Sequence, residues 1–284
     1  RRVLFRSIYL EYYTSPVKHT ILYNVFDNII YDLMSKNFKS YIDRTVQYKD
    51  TPGAVHNYSG YIYGFNKDDC INGYDFFISD IWHNFCGSIF DIILNKYTAL
   101  TAHWHKAPSK AGHVHRDLSI CSGWPTDNLG IEPISNCDYT DDSCDRQPSS
   151  IKMMRSIALL FYLNNPSSWA SDDKGGTSIY SSWSFDSFIK EIRPINNSIF
   201  MFEVCADSFH GFSGASFDRS SIVQWFHSSP AYIIHRYLDR IKYYHKNHNT
   251  IYDKWNPNFN PWKIENDPEY NKYFDKPLIQ VLES

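Results

Sequence analysis

The spacing of hydrophobic residues changes near residue 98, from a helical period to short alternating or fully apolar runs. Residues 20–42 predict an amphipathic helix, because apolar side chains recur every three or four positions. The residues expected on its buried face are Phe26, Ile29, Ile30, Leu33 and Met34. Residues 74–96 predict a second helix, whose apolar stripe is wide enough to pack against a sheet. Both belong to a helical N-terminal support over about residues 1–97.

The pattern beyond residue 98 predicts short strands at 99–104, 155–164, 175–180, 197–204 and 220–227. The run from Arg155 is apolar at nearly every position, which is typical of a strand buried on both faces. Strands that follow one another without intervening helices favour antiparallel pairing in a sandwich or barrel. Residues 118–152 show little periodicity and predict a long loop, either disordered or a functional lid.

The last part of the chain predicts a helix over 233–244 followed by an extended tail. A length of 284 residues is compatible with one large domain. The expected organisation is therefore a single domain over 1–284, with a helical support (1–97), a core (98–230) and a C-terminal helix and tail (231–284).

Composition narrows the classes of partner. The net charge of −3 and the lack of a dense Lys/Arg run argue against a nucleic acid or an anionic membrane. No apolar run is long enough for a membrane span, so a soluble protein is expected, cytoplasmic or in an organellar lumen. Cys121, Cys137 and Cys144 include no Cys-x-x-Cys pair, which argues against structural zinc and leaves a loop disulfide open.

Candidate chemistry begins at His115-Arg116-Asp117. On a strand, residues i and i+2 share a face, so His115 and Asp117 could hold one metal ion, with His113 a less suitable ligand. One such His-x-Asp is expected by chance, so a third ligand is needed. His210 is the candidate, and Arg219 nine residues later is suited to bind a carboxylate, with Ser221 adding a bond from the same strand face.

The sequence resembles the Fe(II)/2-oxoglutarate-dependent oxygenases, and within them the prolyl-hydroxylase-like branch. The resemblance covers about residues 99–227 and rests on motifs in the family's order. These are His115-Arg116-Asp117, Phe161-Tyr162-Leu163-Asn164 followed by Gly175-Gly176, and His210 with Arg219 and Trp225. It implies a mainly β fold with flanking helices around a double-stranded β-helix (jelly-roll or cupin-like) core.

The resemblance also implies roles for individual residues. His115, Asp117 and His210 would bind Fe(II), which leaves three coordination positions for 2-oxoglutarate and O2. Arg219 would pair with the distal carboxylate of 2-oxoglutarate, assisted by Tyr162 and Ser221. His105 stands where family members often have a cosubstrate-binding tyrosine. Because Asp117 is present, hydroxylation or another hydrogen-abstraction outcome is expected rather than halogenation.

Three functions remain open at this point. The first is a dioxygenase that hydroxylates or oxidatively cyclises a small, amino-acid-derived substrate, as kainoid-forming enzymes do, and that releases succinate and CO2. Such a substrate would bear carboxylates, for which the candidate partners are Lys110, Arg116, Arg146 and Arg155. The alternative is a prolyl hydroxylase acting on a protein or peptide. A further alternative is an inactive jelly-roll binding module.

Overall fold

The computed structural model describes residues 9–44, 46–47, 60–112, 114–118, 120–125, 131–133, 151–168, 174–182 and 184–240. The strands in these ranges are Tyr9–Tyr13 (β1), His19–Tyr23 (β2), Val46–Gln47 (β3), Gly60–Gly64 (β4), Thr98–His105 (β5), Ile120–Pro125 (β6), Ile131–Pro133 (β7), Ile151–Tyr162 (β8), Thr177–Tyr180 (β9), Phe188–Ile192 (β10), Ser198–Glu203 (β11), His210–Phe212 (β12) and Arg219–Ser228 (β13). The α-helices are Asn28–Ile42 (α1), Asp80–Phe90 (α2) and Pro230–Arg236 (α3).

The strands form two antiparallel sheets. The larger has the order β1-β2-β11-β8-β13-β5-β4-β3, with β6 paired to the start of β8 and β7 paired to β6. The smaller has the order β10-β9-β12. Every pairing is antiparallel, as the spacing of the strands predicted.

The register of the central strands separates two faces of the large sheet. Ser221 lies opposite Tyr162 on β8 and opposite His103 on β5, so these polar side chains share one face, together with Arg219. We call this the inner face, because Tyr162 and Arg219 reach Thr177 of the smaller sheet from it. The inner face therefore carries the polar residues that matter for function.

The outer face packs against the helical segments. Phe161 is fully buried there, with its ring centroid 5.2 Å from that of Phe26 and 5.6 Å from that of Phe77. Gln224 of β13 donates to the Phe77 carbonyl at 2.7 Å and accepts from the Trp82 indole at 3.1 Å. The predicted burial of β8 is thus confirmed on the outer face of the sheet, where Phe161 packs against aromatic rings.

The two N-terminal helices are shorter than the periodicity predicted. Residues 19–23 form β2, and α1 begins only after Asp27, whose carboxylate accepts from the Ile30 amide at 2.9 Å. The predicted buried face of α1 is only partly confirmed. Met34 is buried, and so is Phe26 just before the helix, but Ile29 is 81% exposed and Leu33 38% exposed. The helix starts later than predicted because strand β2, which continues the apolar pattern, pairs into the sheet.

The second predicted helix is divided by its capping residue. Residues 74–78 form a 3-10 helix, and Ser79 then caps α2 by accepting from the Trp82 amide at 3.3 Å. The α-helix ends at Asp91, which adopts a left-handed conformation with φ of 53°. Residues 92–96 are therefore not helical, and the segment before residue 98 contributes strands as well as helices.

Other boundaries also differ from the sequence-based expectations. The predicted loop at 118–152 contains β6, β7 and the start of β8, while 126–130 and 134–150 lie outside the described residues. Helix α3 begins at Pro230, earlier than predicted, since Ser229 caps it and proline suits the first helical position. Residues 241–284 also lie outside the described ranges. Within those ranges, no helix has the length and apolar content needed to cross a membrane.

Gly176, which precedes β9, is required by a close backbone approach. A Cβ at this position would lie 2.3 Å from the Ile192 carbonyl oxygen of β10. Its amide donates to the Glu191 carboxylate at 2.8 Å. The glycine pair at 175–176 therefore lets the chain enter β9 directly against β10.

Candidate metal centre and cosubstrate site

Two backbone segments bring the three candidate ligands together. His115 lies between β5 and β6, and His210 is the first residue of β12. Their main chains exchange two hydrogen bonds of 2.9 and 2.8 Å, which form an isolated antiparallel bridge. The expected strand at 115–117 is thus limited to this single bridge, yet Asp117 still lies beside both imidazoles.

The three side chains are spaced as ligands of one metal ion. Nε2 of His115 lies 3.8 Å from Oδ1 of Asp117, and Nε2 of His210 lies 3.7 Å from Oδ2. Donor atoms of all three residues lie within 4.8 Å of one another. Bonds of about 2 Å to a central ion would satisfy these separations. Two imidazoles and one carboxylate are the donor set of non-haem Fe(II) sites with open positions.

The orientation of His210 is fixed by the loop before it. Its Nδ1 lies 2.9 Å from the Ser208 carbonyl oxygen, which accepts a hydrogen bond when Nδ1 is protonated. In this orientation Nε2 is directed at Asp117. Arg116 points away from the triad and donates to the Ala206 carbonyl at 2.5 Å. Its burial and its bond to the loop before His210 disfavour the suggested role as a substrate-carboxylate partner, which stays a prediction.

Two further groups contact the Asp117 carboxylate. The Trp225 indole donates to Oδ2 at 2.8 Å, and Nη1 of Arg155 lies 3.3 Å from Oδ1. Burial alone would raise the pKa of Asp117, but the charges of His210, Arg155 and His115 and the indole bond outweigh it and hold the pKa well below its usual range. Asp117 is therefore ionised and ready to bind a cation at neutral pH.

A second polar cluster surrounds Arg219. Its guanidinium is buried and contacts the Ser221 hydroxyl at 3.3 Å and the Thr177 hydroxyl at 3.4 Å. The Tyr162 hydroxyl lies 2.9 Å from the same Thr177 oxygen. Within the part of the chain that the structure describes, Nε of Arg219 has no hydrogen-bond partner and no carboxylate pairs with the guanidinium. A buried cation among hydroxyl groups is suited to bind an anion.

The neighbouring histidines are neutral. His105 is fully buried opposite Arg219, and burial together with the Arg219 charge lowers its pKa far below the usual value. His103 lies two residues earlier on the same face, and burial lowers its pKa to about 3. Both rings therefore add no charge to the cluster. His113 lies outside the described residues.

The structure describes only some of the remaining sequence candidates. Lys110 is exposed, whereas Arg146, Cys137 and Cys144 lie outside the described residues. Cys121 belongs to β6, of which only the backbone is described. Thr177 was not predicted from the sequence. The feature that indicates it is its position directly after the paired glycines, at the start of β9, which pairs with β12 where His210 lies.

A comparison with protein families agrees with this geometry. A model described as the 2OG-Fe(II) oxygenase superfamily matches residues 135–227, which include Tyr162, His210 and Arg219. Over this range, about a third of its length, the chain matches the 2OG-Fe(II) oxygenase superfamily. This match and the His-Asp-His triad support a 2-oxoglutarate-dependent dioxygenase that uses Fe(II), 2-oxoglutarate and O2. His115 and Asp117 lie outside the matched range, so their place beside His210 comes from the structure.

The solved structures similar to this chain include prolyl hydroxylases. A prolyl hydroxylase from Trichoplax adhaerens, in complex with a hypoxia inducible factor oxygen degradation domain peptide fragment, has a TM-score of 0.52 at 14% identity, covering 73% of this chain and 82% of its own. A prolyl-4-hydroxylase from Pseudomonas putida has a TM-score of 0.49 at 11% identity, covering 75% and 93%. The predicted double-stranded β-helix core is confirmed. Curated protein sequences contain no match.

Proposed function

We propose that this oxygenase binds Fe(II) through Nε2 of His115, the carboxylate of Asp117 and Nε2 of His210. The observation that carries this assignment is the cluster of their donor atoms within 4.8 Å of one another. Two contacts support the assignment because they hold ligands in place. The Ser208 carbonyl contacts Nδ1 of His210, and the Trp225 indole donates to Oδ2 of Asp117.

We propose that Arg219 binds the distal carboxylate of 2-oxoglutarate, with Tyr162 and Ser221 adding hydrogen bonds. The buried guanidinium and its unpartnered Nε fit a carboxylate, which would accept the planar pair of N–H groups. The neutral ring of His105, directly across the strand pair from Arg219, would complete this end of the pocket. Thr177 would orient the Tyr162 hydroxyl.

The protein's contribution to the reaction is position and exclusion of water. With iron, cosubstrate and dioxygen bound, the centre supplies an oxidant that removes hydrogen from an unactivated carbon while 2-oxoglutarate becomes succinate and CO2. Trp225 and Arg155 hold the Asp117 carboxylate through contacts with its two oxygens. The burial of Arg219, Ser221 and Tyr162 would keep water from the cosubstrate end of the site.

We propose a small, amino-acid-derived, carboxylate-bearing substrate that is hydroxylated or oxidatively cyclised. Strand β6 pairs with β8 next to Arg155, so the segment predicted as a lid has its first strand beside the triad. The rest of that segment, 126–130 and 134–150, which would close over a compact molecule, lies outside the described residues. We also propose that residues 1–284 form one oxygenase domain, because β2 pairs directly with β11 of the core.

The second candidate is a prolyl hydroxylase that acts on a protein or peptide. It is favoured by the shared fold with the Trichoplax adhaerens enzyme, whose structure holds a peptide fragment. A peptide substrate would need a groove open on the triad side of the molecule.

Two measurements test the proposal. Anaerobic addition of Fe(II) and 2-oxoglutarate should produce the visible absorption band of a chelated keto acid, and His210→Ala should abolish it. A metal-loaded protein without that band would contradict the ligand and cosubstrate assignments. Succinate release is then compared across free amino acids, prenylated amino acids and proline peptides, and release with peptides alone would favour the second candidate.

A further inference from the structure

We propose that Asn165 is a positioning residue for 2-oxoglutarate, because its side chain holds the main chain of Ser220. Ser220 lies between Arg219 and Ser221, the two residues of β13 assigned to the cosubstrate. The inference rests on the proposed function of Arg219 as the partner of the distal carboxylate. It adds a residue that does not touch the cosubstrate but determines where the guanidinium lies.

The Asn165 side chain takes the place of a neighbouring strand. Strand β8 ends at Tyr162, which lies opposite Ser221, so Ser220 lies just beyond the end of that pairing. The Ser220 amide donates to Oδ1 of Asn165 at 2.8 Å, and Nδ2 of Asn165 donates to the Ser220 carbonyl at 3.0 Å. A side-chain amide offers a donor and an acceptor as a peptide group does, so these two bonds extend the ladder by one residue.

A second asparagine fixes Asn165 itself. The Asn165 main-chain amide donates to Oδ1 of Asn196 at 2.8 Å, and Nδ2 of Asn196 donates to the Asn165 carbonyl at 2.7 Å. The residue before it, Asn164, adopts a left-handed conformation with φ of 57°, which turns the chain at the end of β8. Two amide side chains thus act in series, from the segment before β11 to the start of β13.

Burial makes these bonds necessary. Asn165 is 6% exposed and Ser220 is 3% exposed. Without the Asn165 amide, the N–H and C=O groups of Ser220 would lose their partners where water has little access, which is unfavourable. The start of β13 would then shift towards other partners, and the residues on either side of Ser220 would shift with it.

The position of the guanidinium depends on this main chain. Its hydrogen bonds to the hydroxyls of Ser221 and Thr177 are long, at 3.3 and 3.4 Å, and hold it only weakly. Pairing of Arg219 with His105 keeps the strand in the sheet on the β5 side, so only the β8 side depends on Asn165. A misplacement on the order of 1 Å is enough to weaken a positioning contact strongly.

The test compares two keto acids that differ only at the distal end. 2-Oxopentanoate has the same chain length and the same metal-chelating group as 2-oxoglutarate, but a methyl group in place of the distal carboxylate. Both are titrated anaerobically into the full chain loaded with Fe(II), and the charge-transfer band gives the dissociation constants. We expect the wild type to bind 2-oxoglutarate about a hundredfold more tightly, because 2-oxopentanoate makes no charge-assisted hydrogen bonds to Arg219.

Two variants loosen the start of β13 to different degrees. Asn165→Ala should lower the ratio of the two affinities about tenfold and change the affinity for 2-oxopentanoate by less than about twofold. Asn196→Ala keeps the bonds to Ser220 but loosens Asn165, so the ratio should fall about threefold. Asn196 is half-buried, so this variant still tests the inference if Asn165→Ala does not fold. The ratio is internal to each protein, and partial loss of folded protein does not change it.

Asn197 provides a matched control. Its side chain makes the same pair of bonds to the main chain of Phe26, accepting from the amide at 3.0 Å and donating to the carbonyl at 2.8 Å. Phe26 packs against Phe161 on the outer face of the sheet, whereas Arg219 lies on the inner face. Because Asn197 has φ of 58°, glycine suits its backbone. Asn197→Gly should lower stability and leave the ratio within about twofold of the wild type.

Two results would overturn the inference. They are a ratio in Asn165→Ala within about twofold of the wild type, or an equal loss of the ratio in Asn197→Gly. Arg219→Gln separates these results from failure of the proposed function. If the wild type shows no preference for 2-oxoglutarate, or if Arg219→Gln retains it, the cosubstrate assignment is wrong. If Arg219→Gln alone loses the preference, that assignment stands and Asn165 has no positioning role.

Discussion

Replacing Trp225 with phenylalanine tests whether the indole bond to Asp117 supports the metal centre. The substitution keeps an aromatic ring beneath Arg155 and removes only the donor that lies 2.8 Å from Oδ2. A hydrogen bond to a charged group contributes about 1.5–3 kcal/mol. Arg155 still contacts the other carboxylate oxygen at 3.3 Å, so the loss should lie at the lower end of that range.

We therefore expect about tenfold weaker metal binding in Trp225→Phe, equivalent to about 1.4 kcal/mol. Competition with a chromophoric chelator for Co(II) or Zn(II) measures this directly. The affinity for 2-oxoglutarate at saturating metal should stay within about twofold, because Arg219 is about 20 Å away along the strand.

A dissociation constant for the metal within twofold of the wild type would refute this reasoning. The matched control is Trp104→Phe. Trp104 lies on β5, on the face opposite His103 and His105, and contacts Tyr61 with ring centroids 5.2 Å apart. This variant should leave metal binding unchanged, so a similar loss there would indicate a general effect of removing an indole.

Three other substitutions test the surroundings of the site. Burial lowers the pKa of His227 to about 3, whereas an unfolded histidine titrates near pH 6.5. The unfolded state therefore binds a proton that the folded state does not, and this residue lowers the free energy of unfolding by about 1.4 kcal/mol per pH unit as the pH falls from 6.5 towards 3. His227→Gln should flatten the pH dependence of urea unfolding, and an unchanged slope would contradict the assignment. Phe161→Ala should lower the free energy of unfolding by about 3–5 kcal/mol, measured in urea, and a loss below about 1 kcal/mol would mean that the aromatic cluster repacks. Tyr162→Phe should raise the KM for 2-oxoglutarate about three- to tenfold with a smaller change in kcat, and an unchanged KM would remove Tyr162 from the cosubstrate site.

The sequence by itself determined the strand-rich core and the residues that could carry chemistry. Strand β8 was predictable because nearly every position in it is apolar, which is a property of the local sequence. His115, Asp117 and His210 could be selected because metal ligation needs particular side chains and their spacing along the chain is visible. The structure brings these three together.

Local patterns did not determine which apolar surfaces meet. Ile29 fits the helical period as well as Met34 does, but only Met34 is buried, because the sheet lies on one side of α1. Likewise, β2 continues the apolar pattern of the helix and is a strand only because β11 and β1 pair with it. Pairing partners depend on contacts between residues far apart in sequence, which periodicity does not report.

The environment of the triad was also decided by tertiary structure. The donors to Asp117 come from β8 and β13, 38 and 108 residues further along the chain. Arg116 was a candidate to bind substrate, yet the fold turns it away to support the His210 loop, while Arg155 is left beside the metal centre. The sequence specifies the chemistry of each side chain, but the direction in which a side chain points depends on sheet register and loop packing.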